Sequence, residues 1–232
     1  MMRRPFLLLR SGALLAALVL APATLAQVTP GGTPPGAVPR PAPLEAAPLP
    51  PPPGSTAPTT TRTVVPLPTL IPGPGDPADA QEVVLPAKPV AILSGISTWD
   101  EGFTSLVNAF RKIEEELTRA AISPTGRPLA VFLKADDLGF HYEAMIPIPQ
   151  APPGRTTLSP EVRFGTTPQS AALRFVHKSS YEEIDDTYET ITAYLDAKGV
   201  AVKDMFIEEY VTDLTEATDA NLEINIFVQP QE

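Results

Sequence analysis

Apolar positions along this chain follow two periods, every second residue in some stretches and every third or fourth in others, and the two alternate twice in the same order. Val83-Val84-Leu85 and Val90-Ala91-Ile92-Leu93 read as strands, with Lys88-Pro89 between them marking a bend or an edge. Starting near Thr98 or Asp100, apolar residues fall at Phe103, Leu106, Val107, Phe110, Ile113 and Leu117, which predicts a helix with one buried face. Ser123-Pro124-Thr125-Gly126 ends it. Leu129 to Lys134 and Phe140 to Ile148 then predict a hairpin around Asp136-Asp137-Leu138-Gly139, whose Asp and Gly residues supply the turn. The order returns from Val162 to Val176, followed by a helix from about Tyr181 to Ala197 with Ile184, Tyr188, Ile191 and Leu195 on one stripe. Lys198-Gly199 stops that helix, and Met205 to Val211 and Leu222 to Val228 complete the second copy.

A strand-helix-strand-strand unit written twice predicts an α+β fold with a pseudo-two-fold axis. Antiparallel sheets surround that axis, two helices cover one face, and a cleft opens between the halves. Such a cleft points to binding before it points to chemistry.

Composition limits this fold to the C-terminal part. Of 232 residues 30 are proline, and they cluster before residue 90. Residues 27–81, with Pro50-Pro51-Pro52-Pro53 and a threonine-rich stretch, lack the apolar periodicity needed to offset conformational entropy, so they are expected to be a disordered linker. Ahead of them, Arg3, Arg4 and Arg10, an apolar run from Ala13 to Ala21 and the small residues ending at Ala26 predict a signal peptide over residues 1–26. The protein is then expected to be periplasmic or secreted. Arg3-Arg4-Pro5-Phe6-Leu7 also fits the twin-arginine route. The folded domain is expected over residues 82–232.

Charge and cysteine content narrow the classes further. The chain has no cysteine, so export brings no disulfide, no thiolate metal site and no lipid-bearing cysteine. Within residues 82–232 there are 12 basic and 24 acidic residues, a balance of −12, which argues against nucleic acid as a partner and favours cationic ligands. His141 and His177 lack the short spacing of zinc ligands, so no metal and no cofactor is expected.

The sharpest local signal is Phe206-Ile207-Glu208-Glu209-Tyr210-Val211-Thr212-Asp213. In a strand, Phe206, Glu208 and Tyr210 share one face, and Ile207, Glu209 and Val211 share the other. Whichever face is inward therefore carries a glutamate. Beside aromatics in a cleft such a carboxylate attracts cationic or amphipathic guests, unless a neighbouring lysine or arginine pairs with it. Trp99 and Tyr181, each following a Ser-Thr or Ser-Ser pair at a helix start, either line the cleft or cap their helices against the sheet.

These features together resemble the GyrI-like (gyrase-inhibitor-like) small-molecule-binding domains, which also serve as effector-binding domains of AraC-type and MerR-type multidrug regulators. The resemblance covers residues 82–230. It rests on the doubled unit, the aromatics Trp99 and Tyr181 at the helix starts, Ile122-Ser123-Pro124-Thr125-Gly126-Arg127-Pro128 before the hairpin, and Glu208-Glu209-Tyr210-Val211-Thr212-Asp213. It implies that Glu208 sits in the ligand cleft with Tyr210 beside it; Phe206 on the same strand face, and Trp99 and Tyr181 at the helix starts, are the further candidates for ligand contact. Val131 is the matching point in the first copy, so only the second half supplies a carboxylate. Family regulators carry a DNA-binding domain where this chain has the signal and the proline-rich segment, and Ser179-Ser180 replaces the usual Gly-Pro. The leading expectation is an exported, non-enzymatic binder of small cationic or amphipathic ligands. The alternatives are a GyrI-like hydrolase of strained toxic compounds with Glu208 as general base, and a module that contacts an envelope partner through its proline-rich linker.

Overall fold

Short apolar runs bounded by turn residues become strands, and the two amphipathic stretches become helices, in a computed structural model that describes residues 66–231. The expected signal peptide and the linker up to residue 65 lie outside the described residues. Among the described residues the elements are β1 (Gln81–Leu85), β2 (Pro89–Thr98), α1 (Gly102–Arg119), β3 (Leu129–Ala135), β4 (Gly139–Pro147), β5 (Val162–Thr166), β6 (Ser170–Lys178), a 3-10 turn (Tyr181–Glu183), α2 (Ile184–Lys198), β7 (Val202–Tyr210) and β8 (Glu223–Pro230).

The fold is α+β, as the doubled pattern predicts, but its strands form one continuous sheet in the order β1-β6-β8-β7-β3-β4-β2-β5, with every pairing antiparallel. The two copies, β2-α1-β3-β4 and β6-α2-β7-β8, meet where β3 pairs with β7. Two boundaries differ from expectation. Strand β2 continues through Thr98, and α1 begins only at Gly102, because Trp99 and Asp100 form a turn closed by the Gly102 N–H donating to the Trp99 carbonyl. The stretch Val162 to Val176 is two strands, broken where the chain crosses the sheet.

Those crossings set the shape of the sheet. Strands β1 and β2 are joined by Pro86, Ala87 and Lys88 yet stand first and seventh in the order. Four Cα steps reach at most about 14 Å, whereas the first and seventh strands of a flat sheet lie about 29 Å apart. The sheet must therefore curl until its ends approach. β5 and β6, eighth and second in the order, impose the same condition through Thr167 to Gln169. The two crossings are tied together: the Thr167 N–H donates to the Lys88 carbonyl (2.9 Å), the Lys88 N–H to Thr167 Oγ1 (2.9 Å), and the Thr167 hydroxyl to the Pro86 carbonyl (2.7 Å). Thr167→Val keeps the shape and removes that hydroxyl, so denaturant titration should show a loss of about 1 kcal/mol. A variant as stable as the wild type would show that the crossing needs no tie.

Curling gives the sheet a concave and a convex face. Leu85, Val90, Ile92, Leu129, Val131, Met145, Ala172, Ile207 and Phe227 form one cluster that joins strands from both ends of the order, so theirs is the concave face. The other face carries α1, through Leu106, Phe110, Ile113 and Leu117, and α2, through Ile184, Ile191 and Leu195. Gly199, at φ 65°, ends α2 in the left-handed region, the conformation that its Lys-Gly signal predicts.

The expected linker boundary at residue 81 falls too late. Leu70 is buried within the concave cluster, and its N–H donates to the Glu209 carboxylate. The Arg174 guanidinium donates to the Gly73 carbonyl (3.2 Å). Residues 66–80 are thus a strap over the concave face. Leu70, with Ile71 packed beside it and the carbonyls of Pro68, Thr69 and Gly73 accepting from Arg127, Lys88 and Arg174, holds a segment whose composition predicts no contact.

Candidate functional site

Strand period 2 places Phe206, Glu208 and Tyr210 on the helix-covered face, while Ile207 and Glu209 turn to the concave one. Glu208 lies at the junction of the two copies, directly opposite Ala130 across the β3–β7 pair. Val131, the expected counterpart in the first copy, faces the other way into the concave cluster. The cause is a bulge in β3 between Phe132 and Lys134, where Leu133 drops out of register and reverses the parity of the count. The small Ala130 leaves the carboxylate one-sided, as the first-copy match also implied.

Glu208 is 1% exposed, and tyrosine hydroxyls hold its carboxylate. Tyr188 donates to Oε1 (2.6 Å) and Tyr210 to Oε2 (2.7 Å). The Tyr181 hydroxyl joins them, interacting with both Glu208 and the Tyr210 hydroxyl. No described lysine, arginine or histidine forms an ion pair with it. The pairing with a basic side chain that the sequence left open is absent among the described residues. Burial without a counter-charge pushes the Glu208 carboxyl up to about 7, and the tyrosine hydrogen bonds offset only part of that rise. In turn, burial first and the Glu208 charge second keep all three hydroxyls well above the ordinary tyrosine range, so they remain donors.

The walls are aromatic and come from both copies. Phe103 of α1 packs against Tyr181 (centroids 5.3 Å), Phe110 meets Tyr210 edge-on (5.3 Å), and Tyr188 meets Phe206 edge-on (5.2 Å). Tyr181 and Tyr188 remain partly exposed, so the buried carboxyl lies beneath a partly exposed aromatic rim. The structure thus brings Glu208, Tyr210, Phe206 and Tyr181 together. Trp99 is committed elsewhere: its indole N–H donates to the Asp136 carbonyl (2.9 Å) and its ring packs on Phe140 (5.1 Å), bracing the β3–β4 turn. It meets the site through a chain of rings, Phe140 then Phe132, which pairs with Phe206. The helical pattern alone assigns Tyr188 to the core stripe only. Its spacing of seven from Tyr181, two helical turns, is the signal that both rings share a face.

Glu209 does a different job one residue away. It is fully buried, accepts from the Leu70 N–H and from Asn225 Nδ2 (2.8 Å), and Asn225 Oδ1 accepts from Arg174 Nε (3.0 Å) and Nη2 (2.9 Å). Every oxygen of this network has a partner from within the chain, which marks it as a strut for the strap.

A model of the GyrI-like small molecule binding domain family matches residues 79–229. Among solved structures the chain is similar to the EcmrR C-terminal domain, with 14% identity and a TM-score of 0.57 over 66% of this chain and 98% of that one. It is likewise similar to EcmrR in a complex with DNA, with 14% identity and a TM-score of 0.56 over 66% of this chain, and there it spans 57% of the EcmrR chain. No curated protein matches it. A duplicated unit joined at β3 and β7, and a family match that runs from the strand before the first copy to the end of the second, lead to one conclusion: the chain belongs to the GyrI-like small molecule binding domain family.

Proposed function

We propose that this domain binds lipophilic aromatic cations, with the Glu208 carboxylate as their counter-charge and the tyrosine and phenylalanine rings as their walls. The observation that carries the reading is a buried glutamate held by tyrosine hydroxyls and by no described basic side chain. A buried carboxylate without a counter-ion is costly, and a guest cation removes that cost while its apolar body replaces water on the rings. The guest reaches the carboxyl by parting the partly exposed Tyr181 and Tyr188 side chains. Both carboxylate oxygens already accept hydrogen bonds, which favours binding over activation of a water for hydrolysis. We place the protein outside the cytoplasm on the strength of the basic start, apolar centre and small-residue end of residues 1–26, and its acidic domain argues against a nucleic-acid partner.

Proton and cation compete for one carboxyl under this reading. With Glu208 titrating at about 7, about one molecule in eleven is ionised at pH ~6 and about ten in eleven at pH ~8. Affinity for a cationic aromatic dye, followed by fluorescence titration, should therefore rise about tenfold between those pH values, while a neutral analogue of the same shape changes little. Equal pH dependence for the two dyes would overturn the proposal.

A further inference from the structure

We infer that His177 is a positioning residue of the ligand site, delivering the Tyr181 hydroxyl to Glu208 by fixing the backbone at Ser180. This rests on reading the Glu208 site as the binding site. His177 lies on β6, 2% exposed, in the same row across the sheet as Tyr210, with Ile224 between them. Both of its ring nitrogens are engaged. Nε2 is 3.0 Å from the Ser180 carbonyl, which can only accept, so this nitrogen carries the hydrogen, and Nδ1 is 2.8 Å from the Thr187 hydroxyl.

The positions of those two partners give the contacts their meaning. Ser180 immediately precedes Tyr181 and Thr187 immediately precedes Tyr188, the two helix-borne tyrosines that reach the carboxyl. The start of this helix has no side-chain cap of its own: neither Ser180 nor Glu183, the capping positions of the 3-10 turn and of α2, makes a side-chain cap hydrogen bond. A helix end held this way depends on what reaches it from outside. Here a sheet residue does so, supported by Ser179 donating to the Glu183 carboxylate and by the Glu182 N–H donating to the Ala217 carbonyl (3.3 Å). The sheet-borne Tyr210 and the helix-borne Tyr181 are thereby referenced to one row of the same sheet. Where the resemblance implies Gly-Pro before this aromatic, the chain has Ser179-Ser180, and the imidazole supplies from the side the constraint that a proline ring would supply within the chain.

Two substitutions separate positioning from packing. In His177→Gln the amide nitrogen falls near Nε2 and keeps the donor to Ser180, whereas in His177→Asn it falls near Nδ1 and loses that donor. Affinity for the cationic dye at pH ~8 should fall about fivefold in His177→Asn and stay within about twofold in His177→Gln, on the scale of one hydrogen bond. The Asn effect should vanish on a Tyr181→Phe background and persist on a Tyr188→Phe background. A second readout needs no ligand. Tyrosinate absorbance against pH should show one more tyrosine ionising near the ordinary value of about 10 in His177→Asn than in the wild type or in His177→Gln. Equal losses in the two variants, an Asn effect unchanged by Tyr181→Phe, or an unaltered tyrosinate titration would overturn the inference. If the wild type fails to bind the dye, the functional reading fails, and the tyrosinate titration still decides the role of His177.

Discussion

Replacing Glu208 by glutamine should weaken binding of a cationic aromatic dye at pH ~8 by about tenfold to a hundredfold, a loss of about 1 to 3 kcal/mol. Glutamine keeps the volume and still accepts from one tyrosine, so the loss isolates the charge. The pH dependence of binding should disappear with it, because the carboxyl for which proton and cation compete is gone. Glu209→Gln is the matched control. It removes the same charge one residue away on the concave face, where the carboxylate faces Leu70 and Asn225 and not the guest. Its dye affinity should change by less than about twofold. Incubating the wild type with strained electrophiles while following product by mass spectrometry tests the hydrolase alternative in the same samples. Equal losses from the two glutamines would refute the assignment of the site to the helix face, and turnover abolished only in Glu208→Gln would make the domain an enzyme.

The same substitution should make the protein more stable, by an amount that depends on pH. In the folded state Glu208 titrates at about 7, against 4.5 when unperturbed. Between those values the folded state holds a proton that the unfolded chain has released. Its favourable contribution is complete below the unfolded value and is lost as pH rises through about 7. At pH ~8 the buried charge then costs on the order of 3 kcal/mol, because each tenfold change in proton affinity between the two states is worth about 1.4 kcal/mol. Glutamine carries no such penalty. Urea titrations should place Glu208→Gln above the wild type by roughly that amount at pH ~8 and close to it near pH ~4.5. A gap of the same size at both pH values would mean that the difference arises from packing and not from the proton. A glutamate that binds well and folds badly is the compromise expected of a site kept ready for a cation.

The parts of this site written in a short-range code were legible, and those that depend on distant chain were not. Alternation along residues 206–210 sorted Glu208 from Glu209 correctly, because a side-chain period of two needs no information from elsewhere. The same count misplaced the first-copy counterpart at Val131, because one unpaired residue, Leu133, reverses the parity and nothing in Phe132-Leu133-Lys134 announces it. Trp99 stands ahead of its helix much as Tyr181 does, yet its indole is drawn to the carbonyl of Asp136, a partner in the distant β3–β4 turn. The strap was invisible for a compositional reason. Among Pro66 to Pro77 the burial rests on Leu70 with Ile71 beside it, and so short an apolar pair has no period to read.

The exchange of edge strands governs the order in which the domain completes itself. Of the described strands β1 emerges first from the ribosome, but its partner is not β2: Gln81 must wait for Arg174, and Leu85 for Ser170. β5 is free to pair at once with β2, which has already appeared. During vectorial emergence, then, the first-made strand stays unpaired while the first copy is assembled, and it locks only when the second copy arrives. Contacts so distant along the chain fold slowly, and a strand edge left open in the meantime is available to chaperones and to other chains.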